Sequence, residues 1–159
     1  QEETFKLPKR LTGVTTFTIQ VTNRKLHIGG LSFKKLEKAW SPLSVTDIDR
    51  VYGDAFCKTD DAITGIGNNV TIEYTDMDFG ERTCVVIEIT GRSPIERNTI
   101  HVRASNGTNE TLNIAEFTYS DDYVTKRFPV NVLSGSQTVT LLFLPGSNFD
   151  LKGIRFVKI

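Results

Sequence analysis

The sequence predicts an all-β domain built as a sandwich or barrel of short strands, and three observations carry that prediction. Polar and apolar residues alternate along Thr16-Phe17-Thr18-Ile19-Gln20-Val21-Thr22, the two-residue period of a strand with one face on a core. Runs rich in β-branched and aromatic residues then recur at 70–74, 84–90, 99–103, 111–117, 125–132, 137–144 and 153–159. Between them lie 76–80, Asn106-Gly107, Ser120-Asp121-Asp122, Ser134-Gly135-Ser136 and Pro145-Gly146-Ser147, residues that take unusual backbone angles or bond their own main chain. Many short strands punctuated in this way pack as a sandwich or barrel.

Taken in order, residues 1–28 read as a lead-in strand that packs on the rest, with Gly29-Gly30 as the break and 29–159 as the main module. A chain of 159 residues is long enough to bury a core without staples. Phe33, Leu36 and Trp40 recur at helical spacing, which leaves that segment open between a helical turn and a strand. No strong period appears over 41–65, so this stretch is either a functional loop, a candidate binding wall, or a strand poorly marked by its sequence.

Charge narrows the function. Nineteen basic and nineteen acidic residues cancel, and the one basic cluster, Lys34, Lys35 and Lys38, is interrupted by Leu36 and Glu37. No broad field draws the protein to nucleic acid or to an anionic membrane, so a neutral partner is expected. No apolar run approaches the roughly 20 residues of a membrane-spanning helix. Cys57 and Cys84 form no disulfide framework or metal pattern and read as two buried small hydrophobes. Three acceptor triplets for N-glycosylation begin at Asn69, Asn106 and Asn109, as chance often supplies in a chain rich in Asn and Thr.

Catalytic chemistry finds little support. No Gly-x-Ser-x-Gly elbow is present, and His27 and His101 each fall in a strand pattern that suits a structural or surface role. The pairs Asp76 with Asp78 and Asp121 with Asp122 read as turn residues rather than as a glycosidase pair placed across a cleft. Asp47 with Asp49, like Asp76 with Asp78, is not followed by the glycine and terminal glutamate of a calcium-binding loop. What remains is sugar recognition, in which aromatic faces stack on pyranose C–H groups and Asn, Asp, Arg or Glu bond hydroxyls, presented by loops.

Several segments resemble a known family. Ile66-Gly67-Asn68-Asn69-Val70-Thr71-Ile72-Glu73-Tyr74 with Asp76-Met77-Asp78-Phe79-Gly80 is similar to the segment before the first long strands of family 6 carbohydrate-binding modules. Val139-Thr140-Leu141-Leu142-Phe143-Leu144, then Ser147-Asn148-Phe149-Asp150-Leu151 and Ile154-Arg155-Phe156, resembles their closing strand, binding loop and final strand. A closer resemblance, to the C-terminal sandwich modules of family 2 β-galactosidases, lies in three stretches. They are Arg50-Val51-Tyr52-Gly53-Asp54-Ala55-Phe56, Gly91-Arg92-Ser93-Pro94-Ile95 with Asn98-Thr99-Ile100-His101, and Phe143-Leu144-Pro145-Gly146-Ser147-Asn148-Phe149-Asp150.

The resemblance implies a jelly-roll β-sandwich with its cleft among loops at one end. It places a stacking ring at Tyr123 and a hydroxyl-bonding amide at Asn148, each also readable as an ordinary edge or turn residue. The second ring of the cleft would stand where this chain has Gly65, so Trp40 or Tyr52 is expected to substitute. Arg92, Glu96 and Asn98 form a polar loop that suits either hydroxyl recognition or internal salt bridges. The family's structural calcium would take Asp150, but Lys34 stands at the opposing acidic position, so the expectation is a Lys34–Asp150 pair or no metal. No other cofactor is implied.

The resulting expectation is a non-catalytic module that binds a neutral glycan, a galactose-containing β-galactoside in particular. It would be an extracellular or cell-surface accessory to a glycosidase domain in the same polypeptide, with neither nucleic acid nor membrane as partner. The alternatives are a structural sandwich without a sugar site, and a small sandwich enzyme using Asp121, Asp122 or His101.

Overall fold

Alternation becomes two antiparallel sheets within one part of the chain. The computed structural model describes residues 2–5, 7, 14–23, 25–33 and 37–159, and contacts divide the chain into units Gln1–Lys35 and Leu36–Ile159. In the second unit, β1 (Leu43–Ser44), β2 (Arg50–Tyr52), β3 (Cys57–Lys58) and β4 (Ile63–Ile66) are short. The long strands follow: β5 (Val70–Asp78), β6 (Thr83–Arg92), β7 (Arg97–Ser105), β8 (Glu110–Thr118), β9 (Val124–Leu133), β10 (Ser136–Phe143) and β11 (Phe149–Lys158). One sheet runs β3-β4-β11-β6-β9, with β1 also on β11, and the other runs β2-β5-β10-β7-β8.

Inward-facing alternate residues of the two sheets make the core. Ile87, Ile89 and Phe149 from the first meet Ile72, Leu141 and Phe143 from the second, all fully buried. All seven long strands fall on the seven predicted runs. The two-sheet β-sandwich is the architecture that the sequence predicts.

Three details have local causes. The segment 41–65, which carries no visible period, holds β1 to β4, because strands of two to four residues are too short to display one. The turn expected at 76–80 starts later, since β5 runs on to Asp78. Thr75 and Asp76 together face Thr138, and Asp76 takes the left-handed angle of a bulge, φ 55°, where an Asp is tolerated. Cys57 and Cys84 are exposed and free rather than buried, one on the short edge strand β3 and the other pointing outward beside core-facing Val85.

In the first unit, Thr16 to Thr22 forms no strand among the described residues, and Phe17, Ile19 and Val21 stay exposed. Alternation alone does not make a strand, because the backbone also needs a neighbour to accept its hydrogen bonds. Phe17 meets Phe33 edge to face, with ring centroids 5.5 Å apart. Of the ambiguous Phe33–Leu36–Trp40 segment, a 3-10 turn at Lys38–Trp40 is formed, whereas Lys34 and Leu36 lie outside the described residues.

A charged clamp ties that turn to β5. Lys38 Nζ lies 2.6 Å from Asp49 Oδ2 and donates to the Thr75 carbonyl at 2.7 Å, while the Thr75 amide donates to Asp49 Oδ2 at 2.7 Å. Burial is the largest single influence on Asp49 and raises its pKa, but the bonds from Lys38 and Thr75 together hold it below the ordinary 3.8. A depressed carboxyl stabilises the fold above its unfolded value, and that contribution disappears as pH falls through the lower folded value. Asp49→Asn is therefore expected to remove about 0.5–1 kcal/mol of stability at neutral pH, an exposed pair being worth no more. Its deficit should shrink below pH 4 in thermal melts, and a deficit constant from pH 7 to pH 3 would contradict the clamp.

A candidate carbohydrate site at one end of the sandwich

The connections 66–70, 92–97, 118–124 and 143–149 gather at one end of the sandwich, and the opposite end carries 78–83, 105–110 and 133–136. At the first end the loops are tied to one another. Ser120 N donates to Ser93 O at 3.0 Å, Ser93 N to Ser120 Oγ at 3.0 Å, and Tyr119 N to Glu96 O at 2.8 Å.

Across this end of the first sheet, Gly65, Asp150, Arg92 and Tyr123 form a row. Asp150 pairs in register with Arg92, and Tyr123 directly precedes Val124, which pairs with Gly91. Phe149 and Leu151 turn into the core, so alternation sends Asp150 to the outer face, where Arg92 covers it and leaves 4% exposed. Arg92 donates to Asp150 Oδ2 from Nε at 2.9 Å and from a terminal nitrogen at 2.6 Å. Gly65 N donates to Oδ1 at 2.9 Å. Thr64 and Gly65 together lie opposite Asp150, and the Gly65 φ of +59° that this irregularity requires suits a residue without a Cβ.

Tyr123 is the ring of the cluster. The Arg92 guanidinium carbon lies 5.8 Å from its centroid and Lys152 Nζ 4.5 Å. Burial, and next the Asp150 carboxylate, raise the Tyr123 pKa, so its hydroxyl is a neutral donor and acceptor at pH 7. The hydrogen bond to Asp150 raises the Arg92 pKa and keeps that group charged. The row thus combines an aromatic ring, two cations and a buried carboxylate that fixes one of them.

The predicted residues separate under this geometry. Tyr123 and Arg92 belong to the row, and Asn148 lies at the same end with its side chain exposed. Asn98 is also there, but it is 1% exposed and fully engaged. Its amide nitrogen donates to Ser93 Oγ at 2.7 Å and to Asn148 O at 2.8 Å, and its oxygen accepts from Asn148 N at 2.9 Å. Asn98 therefore clamps the loop that presents Asn148, with both amide N–H groups used and its side chain buried away from a ligand. Glu96 is exposed, and only its carbonyl joins the loop network.

Neither proposed second ring joins the cluster. Trp40 packs edge to face on Phe79, 5.3 Å between centroids, beneath Lys158 and toward the opposite end. Tyr52 is 42% exposed on the edge of the other sheet, with Arg50 4.4 Å over its ring. At Gly65 an added Cβ would meet nothing within 4 Å, so the place of a second wall is open space. Lys34 is not described, and the Asp150 carboxylate is engaged by Arg92 and Gly65. A guanidinium 2.6 Å from Oδ2 does not suit a calcium ion at Asp150, and no cluster of three His, Cys, Asp or Glu able to hold a metal occurs among the described residues.

One residue, Lys152, and the partner of another, Asp150, escaped the sequence reading. Lys152 falls at a register shift between Leu151 and Gly153, and Asp150 serves Arg92. Alternation in β11 places Asp150 on the outer face, but neither the bulge nor the partner is written in the local sequence.

Two facing antiparallel sheets define the class of fold, a β-sandwich. The structure is similar to a family 6 module of Clostridium stercorarium solved with cellobiose, at TM-score 0.63 and 21% identity, covering 76% of this chain and 95% of that one. It is similar to a β-1,3-glucan-binding family 6 module of Bacillus halodurans, at TM-score 0.61 and 18% identity, covering 74% and 96%. It also matches 28% of a Bacillus subtilis family 43 arabinoxylan arabinofuranohydrolase solved with cellotetraose, at TM-score 0.60, 14% identity and 76% of this chain. No protein-family model matches the chain, and no curated protein matches it in sequence. The fold is that of the family 6 modules.

Proposed function

We propose that the protein is a non-catalytic carbohydrate-binding module whose ligand stacks on Tyr123 and bonds to Arg92 and Asn148. One observation carries the reading: at the loop end, the Tyr123 ring stands beside an arginine whose orientation is fixed by a buried carboxylate. The similarity to modules solved with cellobiose and described as binding β-1,3-glucan supports a glycan ligand. A galactose-containing β-glycan is the finer reading, supported by the sequence resemblance to the modules of β-galactosidases. The match to part of a longer glycosidase supports a role as accessory to a secreted glycoside hydrolase, raising the enzyme's effective concentration on substrate. In this reading Asp150 serves Arg92 rather than a metal ion.

Tyr123→Ala is expected to weaken glycan binding by about tenfold, the worth of one aromatic platform, with melting temperature nearly unchanged. Titration calorimetry against the best ligand from a glycan array tests this, and undiminished affinity would remove Tyr123 from the site. The open space at Gly65 favours a second reading, a structural sandwich that has lost its sugar site. An array with no bound glycan would select that reading.

A further inference from the structure

The loop-end row has a charge pattern that a neutral sugar does not require. Lys152 lies at an irregularity in β11, where Leu151 pairs with Gly91 and Gly153 with Thr90, so Lys152 has no partner opposite it on β6. A bulge re-aims a side chain, and this one carries its ammonium to 4.5 Å from the Tyr123 centroid. No carboxylate of the described residues lies within 4 Å of Lys152, as is true of Lys126 and Lys158, but of these three only Lys152 stands over the Tyr123 ring of the loop-end row.

The acidic groups around the ring are otherwise engaged. Asp150 receives Arg92 and Gly65. Asp122 Oδ1 accepts from the Tyr123 amide at 2.7 Å, and Asp121 Oδ1 accepts from the Tyr119 hydroxyl at 3.4 Å. Arg92 is 44% exposed beyond its bond to Asp150, so a second cation faces solvent on the same ring. A ligand on Tyr123 thus meets one cation without an anionic partner and one whose partner lies beneath it.

We propose that Lys152 is a specificity-determining residue and that the sugar seated on Tyr123 is a hexuronate, its carboxylate paired with the Lys152 ammonium. The proposal rests on the reading of this end as a glycan site. It replaces the neutral ligand expected from the chain's zero net charge, since net charge averages over the whole surface and a single pocket does not. A carboxylate gives Lys152 the charge-assisted partner that the protein does not supply, and the Tyr123 ring receives the apolar face of the same residue.

The test compares acidic oligosaccharides, oligomers of galacturonate, glucuronate and mannuronate, with their methyl esters, which keep the sugar ring and lose the charge. At least one acid is expected to bind about three- to fivefold more tightly than its ester in low salt, the range for one partly exposed ion pair. That preference should vanish in about 0.5 M sodium chloride. Lys152→Met should abolish it, so that acid and ester then bind alike, with melting temperature in place, and Lys152→Arg should retain it. Equal binding of acid and ester, or a preference that survives Lys152→Met, overturns the role of Lys152 while the glycan site stands. Absence of binding to acids, esters and neutral galactosides alike overturns the glycan reading and this inference with it.

Discussion

Phe149→Ala is expected to lower stability by about 4 kcal/mol, the usual cost of emptying a fully buried phenylalanine site. Phe149 is completely buried and stacks edge to face on Phe117 at 4.9 Å, with Phe143 at 5.4 Å. Its ring also lies against Gly91, where any Cβ would collide with it, so the ring and the glycine are fitted to one another. The cavity would open between the two sheets under the loop end, with rigid strands on both sides that cannot collapse to fill it. In thermal melts the loss corresponds to roughly 10–15 °C for a domain of this size. Phe149→Leu should recover more than half of it, because leucine refills most of the volume. A loss under about 1 kcal/mol would mean that the loop end is not anchored by this ring.

The long strands were legible because each spans eight or more residues, with alternating stretches against a full neighbour, so pattern, burial and pairing agree. Thr16 to Thr22 shows how far the pattern goes by itself. It has the cleanest alternation in the chain, but no described strand beside it and no buried face. The short strands β1 to β4 show the converse, pairing that exists without a period to announce it. Cys57 and Cys84 were misjudged because residue type was used where strand phase decides. Cys84 alternates with buried Val85, so it points outward whatever its intrinsic preference.

The site was legible in part for a similar reason. Tyr123 and Arg92 announce themselves by type and by lying in loops or at strand ends, and they meet in the structure. Lys152 was hidden because a bulge changes which face a residue serves, and register is a property of two strands rather than one. Trp40 was assigned by type, as a large ring in an unassigned segment, but its contacts with Phe79 and Lys158 make it the lid of the core at the far end. Asp150 was read toward Lys34, which lies outside the described residues, whereas the cation it holds among the described residues, Arg92, stands directly across the β6–β11 ladder.

Asn98→Ala is expected to cost about 3 kcal/mol and to weaken glycan binding, two effects from one lost side chain. The Asn98 amide pairs with both the N–H and the carbonyl of Asn148, as a strand would, and also donates to Ser93 Oγ. Alanine would leave the Asn148 main chain without partners in a partly buried place, and unmade bonds there cost more than the net worth of made ones. The 143–149 connection would then lose its tie to β7, and Asn148 would no longer be held in one orientation toward the ligand. Asn98→Asp keeps the acceptor for Asn148 N but sets a buried carboxylate oxygen against the Asn148 carbonyl, so it should cost at least as much as alanine. If Asn98 contacted sugar directly, the alanine variant would lose affinity without loss of melting temperature. If it clamps the loop, affinity and stability fall together, and Asn148→Ala should reproduce the loss of affinity with little change in melting temperature.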